Sequence, residues 1–559
     1  MNTKTGEVAA AEQPQVISQG GESTSTTTPE TLSTPPTPTD KKTPSTATKA
    51  VSGAAWNFVG QGYQQVLRLF SNVLLSKFVT PDVFGTMGLV TQLNQALYMF
   101  SDVGIGTSII NHKKGGDLVF LRTAWSVQIV RSIIITTIGM ALAYPFAWFF
   151  SDETHPTNML FWVTLATTMA MLINGFQSVA LFLGARELRV ARVLLLDLFG
   201  QTLGTGVSIL LAWNLHNVWA LVIGNLIATT VRVVMSFFIL QKLQLRWCWD
   251  EEARRDMFSF GRWILISTVL TFAANSMDRF ILGKLLGLSL FGLYNTAIMF
   301  AMVPIELMLR ITTSVVMPAY AKKKNPDGSL PEEVFDRVGM LMLLVSGCLI
   351  AGVVATAPGF VRAVYKPAYH GAAAIVPWLG LAAWTRVLHN NSIGALLAMG
   401  KAKSSALGNG LKLAALVVLV PLGYHLFAKP SEPMLLTAGV HGAVFLDRSY
   451  NAMSGVVGAC IGLTIAELFK YAASVWDARR AGLRPFKVDI PGTLEFGFAF
   501  GIVLLIQWFL RSKGVAPALE ALIAGTAVIA VYLPLMYRGG RLVAKHVKLP
   551  APARKLLRV

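Results

Sequence analysis

The chain has 559 residues, of which 53% are hydrophobic and only 14% are charged, and its formal net charge is +19. Because a soluble domain carries about 25% charged residues, this composition excludes an ordinary soluble protein. The positive charge lies mostly in short segments between apolar stretches, so it does not indicate a nucleic-acid partner. Three scattered cysteines, Cys248, Cys348 and Cys460, have neither metal-ligand spacing nor the pattern of a disulfide framework.

Residues 1–49 are rich in Ser, Thr and Pro and cannot bury a core, so we expect a disordered tail. Stretches long enough to cross a bilayer follow, because about 20 apolar residues suffice for a spanning helix. We predict an all-α polytopic membrane protein whose fourteen transmembrane helices lie at about 53–78, 84–110, 120–150, 158–184, 190–214, 218–240, 258–283, 288–317, 336–357, 372–400, 404–427, 454–476, 493–510 and 515–537.

An internal repeat relates the first six spans to the next six. A shift of 207 residues places Trp56 on Trp263, and both copies read W-x20-K-x6-F-G. A shift of 216 residues places "SVALFLG" (178–184) on "GALLAMG" (394–400). Because six spans return the chain to its starting side, the copies are parallel, as in transporters whose halves flank a central site.

The repeat predicts the domain organisation. We expect an N-lobe at 50–241, a cytoplasmic linker at 242–257 and a C-lobe at 258–477. Two further helices occupy 478–537, and a basic cytoplasmic tail occupies 538–559. Lysines and arginines concentrate in the tails and loops on the N-terminal side, which predicts that both termini are cytoplasmic. The basic tail is expected to contact anionic lipid headgroups, or to serve as a topology signal alone.

Polar residues form stripes on the predicted helices. In the first span Asn57, Gln61, Gln64, Arg68 and Ser71 follow steps of three and four residues and therefore share one face. The 207-residue shift places the last four on polar residues of span seven, which ends its stripe with an Asp-Arg pair. The two copies thus keep a polar face at the same position, but the polar residue types on that face differ.

Charged residues inside spans are costly, at about 2.5–3.5 kcal/mol each near the bilayer centre. Near span ends, Arg262, Lys412 and Lys470 are expected to reach the interface. The others would be accommodated by a hydrated cavity between two six-helix bundles. We predict that this cationic cavity binds substrate through Arg68, Arg131, Arg279, Arg310 and Arg386. We predict ion or proton coupling at Asp102, Asp278 and Glu306. A structural role stays open for each; Glu306 and Arg310, four residues apart, would neutralise each other.

The cavity composition favours an anionic ligand. Guanidinium groups match phosphate geometry, and the surrounding amides and aromatic rings suit sugars, although any organic anion would satisfy the charge. The sequence contains no zinc spacing, no nucleophile elbow, no catalytic triad and no acceptable P-loop. We therefore expect a transporter without a cofactor or metal, and not an enzyme.

Three segments resemble the polysaccharide transporter family. They are "GAAWNFVGQGYQQVLRLFSNVLLSKFVTPDVFGTMGLV" (53–90), "MFSDVGIGTSII" (99–110) and "SMDRFILGKLLGLSLFGLYNTAIMFAMVP" (276–304). Asp102, Asp278, Arg279 and Lys284 fall on signature positions of that family. The long N-terminal tail and the 428–453 insertion depart from its short pattern.

The resemblance implies a Wzx-type flippase of the multidrug/oligosaccharidyl-lipid/polysaccharide export superfamily. Such a protein moves undecaprenyl-pyrophosphate-linked oligosaccharides across the bacterial inner membrane for exopolysaccharide, capsule or O-antigen assembly, by alternating access of two six-helix lobes. The implied partners are the polyprenyl-pyrophosphate-linked glycan, membrane lipids and a polysaccharide polymerase with chain-length proteins, and no nucleic acid. Three alternatives stay open: a peptidoglycan-precursor flippase, a drug or lipid exporter of the same superfamily, and a membrane-embedded polysaccharide polymerase.

Overall fold

A computed structural model describes residues 46–102, 104–151, 157–187, 190–239, 243–401, 403–428 and 443–544. Within these ranges all regular secondary structure is helical, as expected for a chain that must satisfy its backbone hydrogen bonds inside a bilayer. The α-helices are α1 (Thr46–Leu75), α2 (Pro81–Phe100), α3 (Ile105–Asn111), α4 (Leu118–Phe150), α5 (Thr157–Gly175), α6 (Ala180–Arg186), α7 (Val190–Leu215), α8 (Trp219–Ile239), α9 (Glu251–Ile311), α10 (Met317–Lys323), α11 (Glu332–Val364), α12 (Gly371–Ala398), α13 (Lys403–Phe427), α14 (Ala443–Arg480), α15 (Phe486–Ser512) and α16 (Pro517–Ala544).

The predicted all-α membrane architecture is confirmed, and every predicted span falls on one or more helices. In the described part of the chain, eleven helices are long and apolar enough to cross a membrane. The number fourteen therefore stays a prediction. The predicted linker at 242–257 is already helical from Glu251, and α16 continues to Ala544. Residues 1–45 of the predicted disordered tail lie outside the described residues, and residues 46–49 belong to α1. Most of the basic tail and most of the 428–453 insertion also lie outside them.

Spans seven and eight of the prediction join without a loop in α9. Gly287, at φ 68° and ψ 167°, interrupts the helical backbone there. The Tyr294 hydroxyl donates to Asp278 Oδ2 at 2.9 Å, although sixteen residues of straight helix would separate these positions by about 24 Å. The chain therefore folds back on itself at Gly287, where a positive φ favours glycine.

We call α1–α8 the N-half and α9–α14 the C-half. Within the N-half α4 packs on α5 and α7 packs on α8. Within the C-half α11 packs on α12 and α13 packs on α14, which are the helices that the sequence repeat makes equivalent. The remaining pair, α15 and α16, packs mainly on α11. The same pairings recur in both halves.

The two halves meet where α2 lies along α9. A Cβ atom on Gly85 would collide with the carbonyl oxygen of Leu288, and a Cβ atom on Gly292 would collide with that of Pro81. Gly85 and Gly292 are 207 residues apart, as are Pro81 and Leu288, so each contact repeats the other. Only glycine permits this approach of two backbones. The local two-fold symmetry of the halves therefore relates the two contacts to each other.

A buried glutamine joins α15 to the C-half. Pro358 has no N–H to donate to the carbonyl of Val354, four residues earlier in α11. Gln507 donates through Nε2 to the carbonyls of Val354 and Ala355, at 3.0 and 2.9 Å. The amide thus replaces the donor that the proline lacks and attaches α15 to α11.

Candidate functional site

Two breaks in helices shape the N-half. The predicted continuous span at 84–110 is wrong, because α2 ends at Phe100 and α3 begins at Ile105. Asp102 Oδ1 accepts the Gly104 N–H at 3.0 Å, and Gly104 has φ 66°. The predicted span at 158–184 is likewise broken between α5 and α6. Backbone that leaves a helix at membrane depth is tolerated where it lines a cavity.

Long polar side chains satisfy the backbone groups at these breaks. Gln128 of α4 donates through Nε2 to the carbonyls of Gly175 and Gln177, at 3.0 and 2.9 Å. Arg186 of α6 donates through Nη1 to the carbonyls of Ile109 and His112, both at 2.7 Å, and so caps α3. The second break is therefore held by a side chain of α4, and a side chain of α6 holds the far end of the short helix that follows the first break.

A cavity of about 570 Å³ lies beside the two breaks. This volume is in the usual range of small-molecule sites. Its polar lining residues are Gln95, Tyr98, Asp102, Thr107, Gln128, Arg131, Ser132, Asn174, Gln177 and Arg232. Asn174 Oδ1 and Gln177 Nε2 are buried and make no hydrogen bond to any described residue. Two arginines, one carboxylate and unpaired amide atoms suit a ligand that is anionic and rich in hydroxyl groups.

Arg131 of α4 is the most constrained cation of this cavity. Its Nη2 donates to the Tyr98 carbonyl at 2.7 Å, and its Nε donates to Ser101 Oγ at 3.1 Å. Its guanidinium lies 4.5 Å from the centroid of the Tyr98 ring, and its Nη1 lies 3.9 Å from Asp102 Oδ1. The structure thus brings together a predicted substrate residue, Arg131, and a predicted coupling residue, Asp102.

Arg232 of α8 is a second cation of the cavity, and it is absent from the predicted site. Its Nε lies 2.8 Å from Asp197 Oδ1 of α7, which lies outside the lining. The sequence signal was an arginine and an aspartate deep in two consecutive apolar spans. Such residues face a partner or a cavity because exposure to lipid is costly.

The C-half has a much smaller cavity, of about 30 Å³, lined by Asn275, Asp278, Arg279, Arg386, Lys412 and Glu467 among others. Three predicted site residues, Asp278, Arg279 and Arg386, therefore lie here and not beside Arg131. Asp278 accepts a hydrogen bond from Tyr294. Arg279 Nε is buried and makes no hydrogen bond to the part of the chain that the structure describes. A volume of this size holds about one or two water molecules.

Glu467 of α14 is the centre of an ion network in the C-half. Its Oε1 lies 2.6 Å from Lys412 Nζ and 3.5 Å from Arg386 Nε. Arg386 also donates to Asn275 Oδ1 at 2.5 Å. The expected interface positions of two lysines are wrong: Lys412 is 2% exposed and Lys470 is 6% exposed. The buried carboxylate of Glu467 compensates the positive charges beside it, because an unpaired charge in the protein interior would be costly. The side chain of Arg262 lies outside the described residues.

Arg68 and Glu306 form a bridge between the halves. Arg68 Nη1 of α1 lies 3.6 Å from Glu306 Oε1 of α9, and the two side chains are 44% and 42% exposed. The alternative pairing of Glu306 with Arg310 is not observed. Arg310 lines neither of the two cavities described above. The predicted single chamber is therefore divided into an N-half cavity, a C-half ion network and this bridge.

The sequence matches proteins of polysaccharide assembly. A family model described as "Polysaccharide biosynthesis protein" matches residues 74–374. The chain is 23% identical over 471 residues to the teichuronic acid biosynthesis protein TuaB of Bacillus subtilis (strain 168), covering 83% of this chain and 91% of that protein. It is 21% identical over 486 residues to the lipopolysaccharide biosynthesis protein WzxC of Escherichia coli (strain K12), covering 82% of this chain and 88% of that protein. These matches confirm the resemblance found in the sequence.

Solved structures show the same fold. The lipid II flippase MurJ in an inward closed conformation aligns with a TM-score of 0.63 at 11% identity, covering 87% of this chain and 99% of that one. An inward-facing multidrug resistance MATE family transporter aligns with a TM-score of 0.55 at 14% identity, covering 75% of this chain and 95% of that one. This chain therefore has the fold of these membrane transporters.

Proposed function

Because the chain belongs to the polysaccharide biosynthesis protein family, we propose that it is a flippase for polyprenyl-linked oligosaccharides. It moves undecaprenyl-pyrophosphate-linked units across the bacterial inner membrane for exopolysaccharide, capsule or O-antigen assembly. The observation that supports this function best is the N-half cavity, where two broken helices surround a polar space with two arginines. Broken helices at a binding site are a recurring feature of transporters.

Each part of the proposed substrate has a matching part of the cavity. Arg131 and Arg232 hold the pyrophosphate, since guanidinium groups bind phosphate oxygens with directed hydrogen bonds. The unpaired amide atoms of Asn174 and Gln177 face sugar hydroxyls, which both donate and accept. The polyprenyl chain stays in the surrounding lipid, because transfer of its methylene groups into a polar cavity would lose hydrophobic stabilisation.

The two halves carry out alternating access. Movement of one half against the other exposes the headgroup first to one side of the membrane and then to the other. The Arg68–Glu306 pair joins the halves through half-exposed side chains, so water can replace the contact at low cost. Asp102, Glu306 and Asp278 are the proposed sites where ion or proton movement is coupled to release. Both termini lie in the cytoplasm, as the distribution of Lys and Arg indicates.

Reconstituted protein provides the test. Proteoliposomes with a fluorescent lipid-pyrophosphate oligosaccharide should show protein-dependent loss of protection from a membrane-impermeant quencher. Arg131→Ala should lower the initial rate at least about 10-fold, which corresponds to about 1.4 kcal/mol. Arg310→Ala is the matched control, since Arg310 is an arginine that lines neither cavity. An unchanged rate for Arg131→Ala would refute the assignment of the cavity.

Complementation separates the alternatives. Restoration of polymer in a strain lacking its oligosaccharide flippase would support the proposal. Rescue only of a strain depleted of its peptidoglycan-precursor flippase would assign that substrate in its place. Export of cationic drugs would contradict the proposal, because the excess of arginine in the N-half cavity disfavours cations.

A further inference from the structure

Two lysines make equivalent contacts from opposite halves. Lys77 Nζ, just beyond α1, donates to the carbonyl of Val364, the last residue of α11. Lys284 Nζ of α9 donates to the carbonyl of Phe149, the penultimate residue of α4. Lys77 and Lys284 are the pair that the 207-residue repeat aligns, and α4 and α11 are the third spans of the two copies. Each half therefore supplies one lysine and receives the other.

The chemistry of the contact is that of a helix cap. The last carbonyls of a helix lack N–H partners and carry the negative end of the helix dipole, so a lysine there is stabilising. Lys284 Nζ also lies 4.8 Å from the centroid of the Phe149 ring. In each half, the lysine at this position of the repeat thus caps a helix of the opposite half.

Further contacts between the halves surround the lysines. The Tyr369 hydroxyl donates to the Val79 carbonyl at 2.9 Å, and the Tyr365 hydroxyl donates to Asn72 Oδ1 at 3.2 Å. The backbone contact of the two paired glycines lies along the same α2–α9 seam. The halves are therefore closed together at this end of the protein, where α1, α4 and α11 end.

We propose that Lys77 and Lys284 are twin latches that keep the two halves closed at this end and that release together when the end opens. Lys77 is exposed, so water can take over its hydrogen bonds when Val364 moves away. The latches are residues of the transport cycle and not substrate ligands, since neither lines the cavities described above. The inference rests on the alternating-access part of the proposed function, and a measurement of conformation without substrate tests it separately.

The test is a distance across the closed end. Spin labels are attached at Asn214→Cys, near the end of α7, and Lys513→Cys, after α15, in a chain whose three cysteines are replaced by alanine. Both positions are exposed. Ring contact between Phe78 and His216 places the first label near the latches. The Arg362–Glu520 and Arg511–Glu520 ion pairs place the second label at the end of α11.

Lys77→Gln and Lys284→Gln should each shift the distances toward a longer, open population, and to the same degree. The ratio of open to closed protein should rise about 2- to 5-fold for each variant and about 3- to 30-fold for the double variant, from the usual strength of a charge at a helix end. Lys77→Arg with Lys284→Arg should restore the closed distribution. Lys366→Gln removes an exposed lysine at the same end whose side chain makes no hydrogen bond or ion pair with the described residues, and it should change nothing.

An unchanged distribution in the double glutamine variant would overturn the proposal, as would an equal shift in Lys366→Gln. Thermal unfolding and elution as a single species show whether a variant is folded. If the double glutamine variant is not folded, the double arginine variant tests the latch. A closed distribution for the arginine pair supports the latch, and an open one refutes it. If the latches respond as expected but no lipid is flipped, the substrate assignment fails and the latch assignment stands.

Discussion

The two halves share one repeat but differ at the places that matter for binding. In the N-half the chain leaves the helix at residues 101–104, whereas the equivalent residues 308–311 continue α9 into a π-helical turn at Thr312–Val316. The second break, at residues 176–179, corresponds to residues 392–395 of the uninterrupted α12. One half thus has a cavity of about 570 Å³ and the other about 30 Å³.

This difference shows how a duplicated fold divides its tasks. The N-half cavity lies beside two breaks in helices, and its lining leaves amide atoms of Asn174 and Gln177 unpaired, which is the state expected of a binding site. In the C-half, Lys412 and Arg386 are paired with the buried carboxylate of Glu467, which is the state expected of a structural or coupling network. Variants of matched residues in the two halves should therefore have different consequences.

The largest expected effect is on stability in the C-half. Glu467→Gln leaves Lys412 and Arg386 without their carboxylate, and breaking a buried pair costs about 3–5 kcal/mol. We expect a large fall in the thermal unfolding midpoint of the detergent-solubilised protein. Glu467→Leu with Lys412→Met should recover much of the loss, because it removes charges from both sides. A midpoint for Glu467→Gln equal to that of the native protein would contradict the network.

A smaller effect separates the two arginine sites. Arg131→Lys keeps the charge but loses the directed hydrogen bonds to Tyr98 and Ser101, each worth about 1.5–3 kcal/mol for a charged donor. The transport rate should fall about 10-fold or more. Arg386→Lys should lower the unfolding midpoint and leave the rate of the folded protein within about 2-fold. The reverse assignment of the two effects would contradict the division of tasks.

Two glutamines that each donate to a pair of backbone carbonyls offer a matched pair. Gln128→Leu and Gln507→Leu each leave two carbonyls without their donor, which costs about 1–3 kcal/mol of stability. Only Gln128 lines the N-half cavity, so only its variant should also lower transport per folded molecule. Unfolding curves and flipping rates measured on the same preparations distinguish the two effects. Equal transport rates would show that the break near Gly175 has no part in binding.

The smallest effect concerns the bridge between the halves. Arg68 and Glu306 are half exposed, and such pairs contribute about 0–1 kcal/mol. Arg68→Gln should leave the unfolding midpoint nearly unchanged, and so should the exchanged pair Arg68→Glu with Glu306→Arg. A midpoint that falls as far as that of Glu467→Gln would show that the bridge is structural.

The helical repeat could be predicted because hydropathy and residue identities 207 positions apart are visible in the sequence. Hydropathy located the spans, and the alignment of Lys77 with Lys284 and of Gly85 with Gly292 revealed the repeat. That these residues make contacts between the halves was not predicted. The breaks were missed because "DVGIG" is apolar enough to continue a span, although its glycines signalled a turn. The burial of Lys412 and Lys470 was missed because hydropathy does not show which face of a helix another helix covers.

Part of the site could also be predicted from local sequence patterns. Arg131 was predicted to bind substrate and Asp102 to couple an ion or proton, and the two residues lie together in the N-half cavity. Their separation from Arg279 and Arg386 depends on tertiary packing, which places the latter around Glu467. Glu467 and Lys470 lie one helical turn apart in an apolar span, which was a local signal that this face of α14 is buried.

Binding of a short-chain polyprenyl pyrophosphate to the purified protein tests the central claim most directly. Titration calorimetry should show that Arg131→Gln, in the N-half cavity, weakens binding at least about 10-fold, or about 1.4 kcal/mol. Arg279→Gln, in the small C-half cavity, should leave the affinity within about 2-fold. Loss of affinity in Arg279→Gln with native affinity in Arg131→Gln would place the anionic headgroup in the other half and contradict the account.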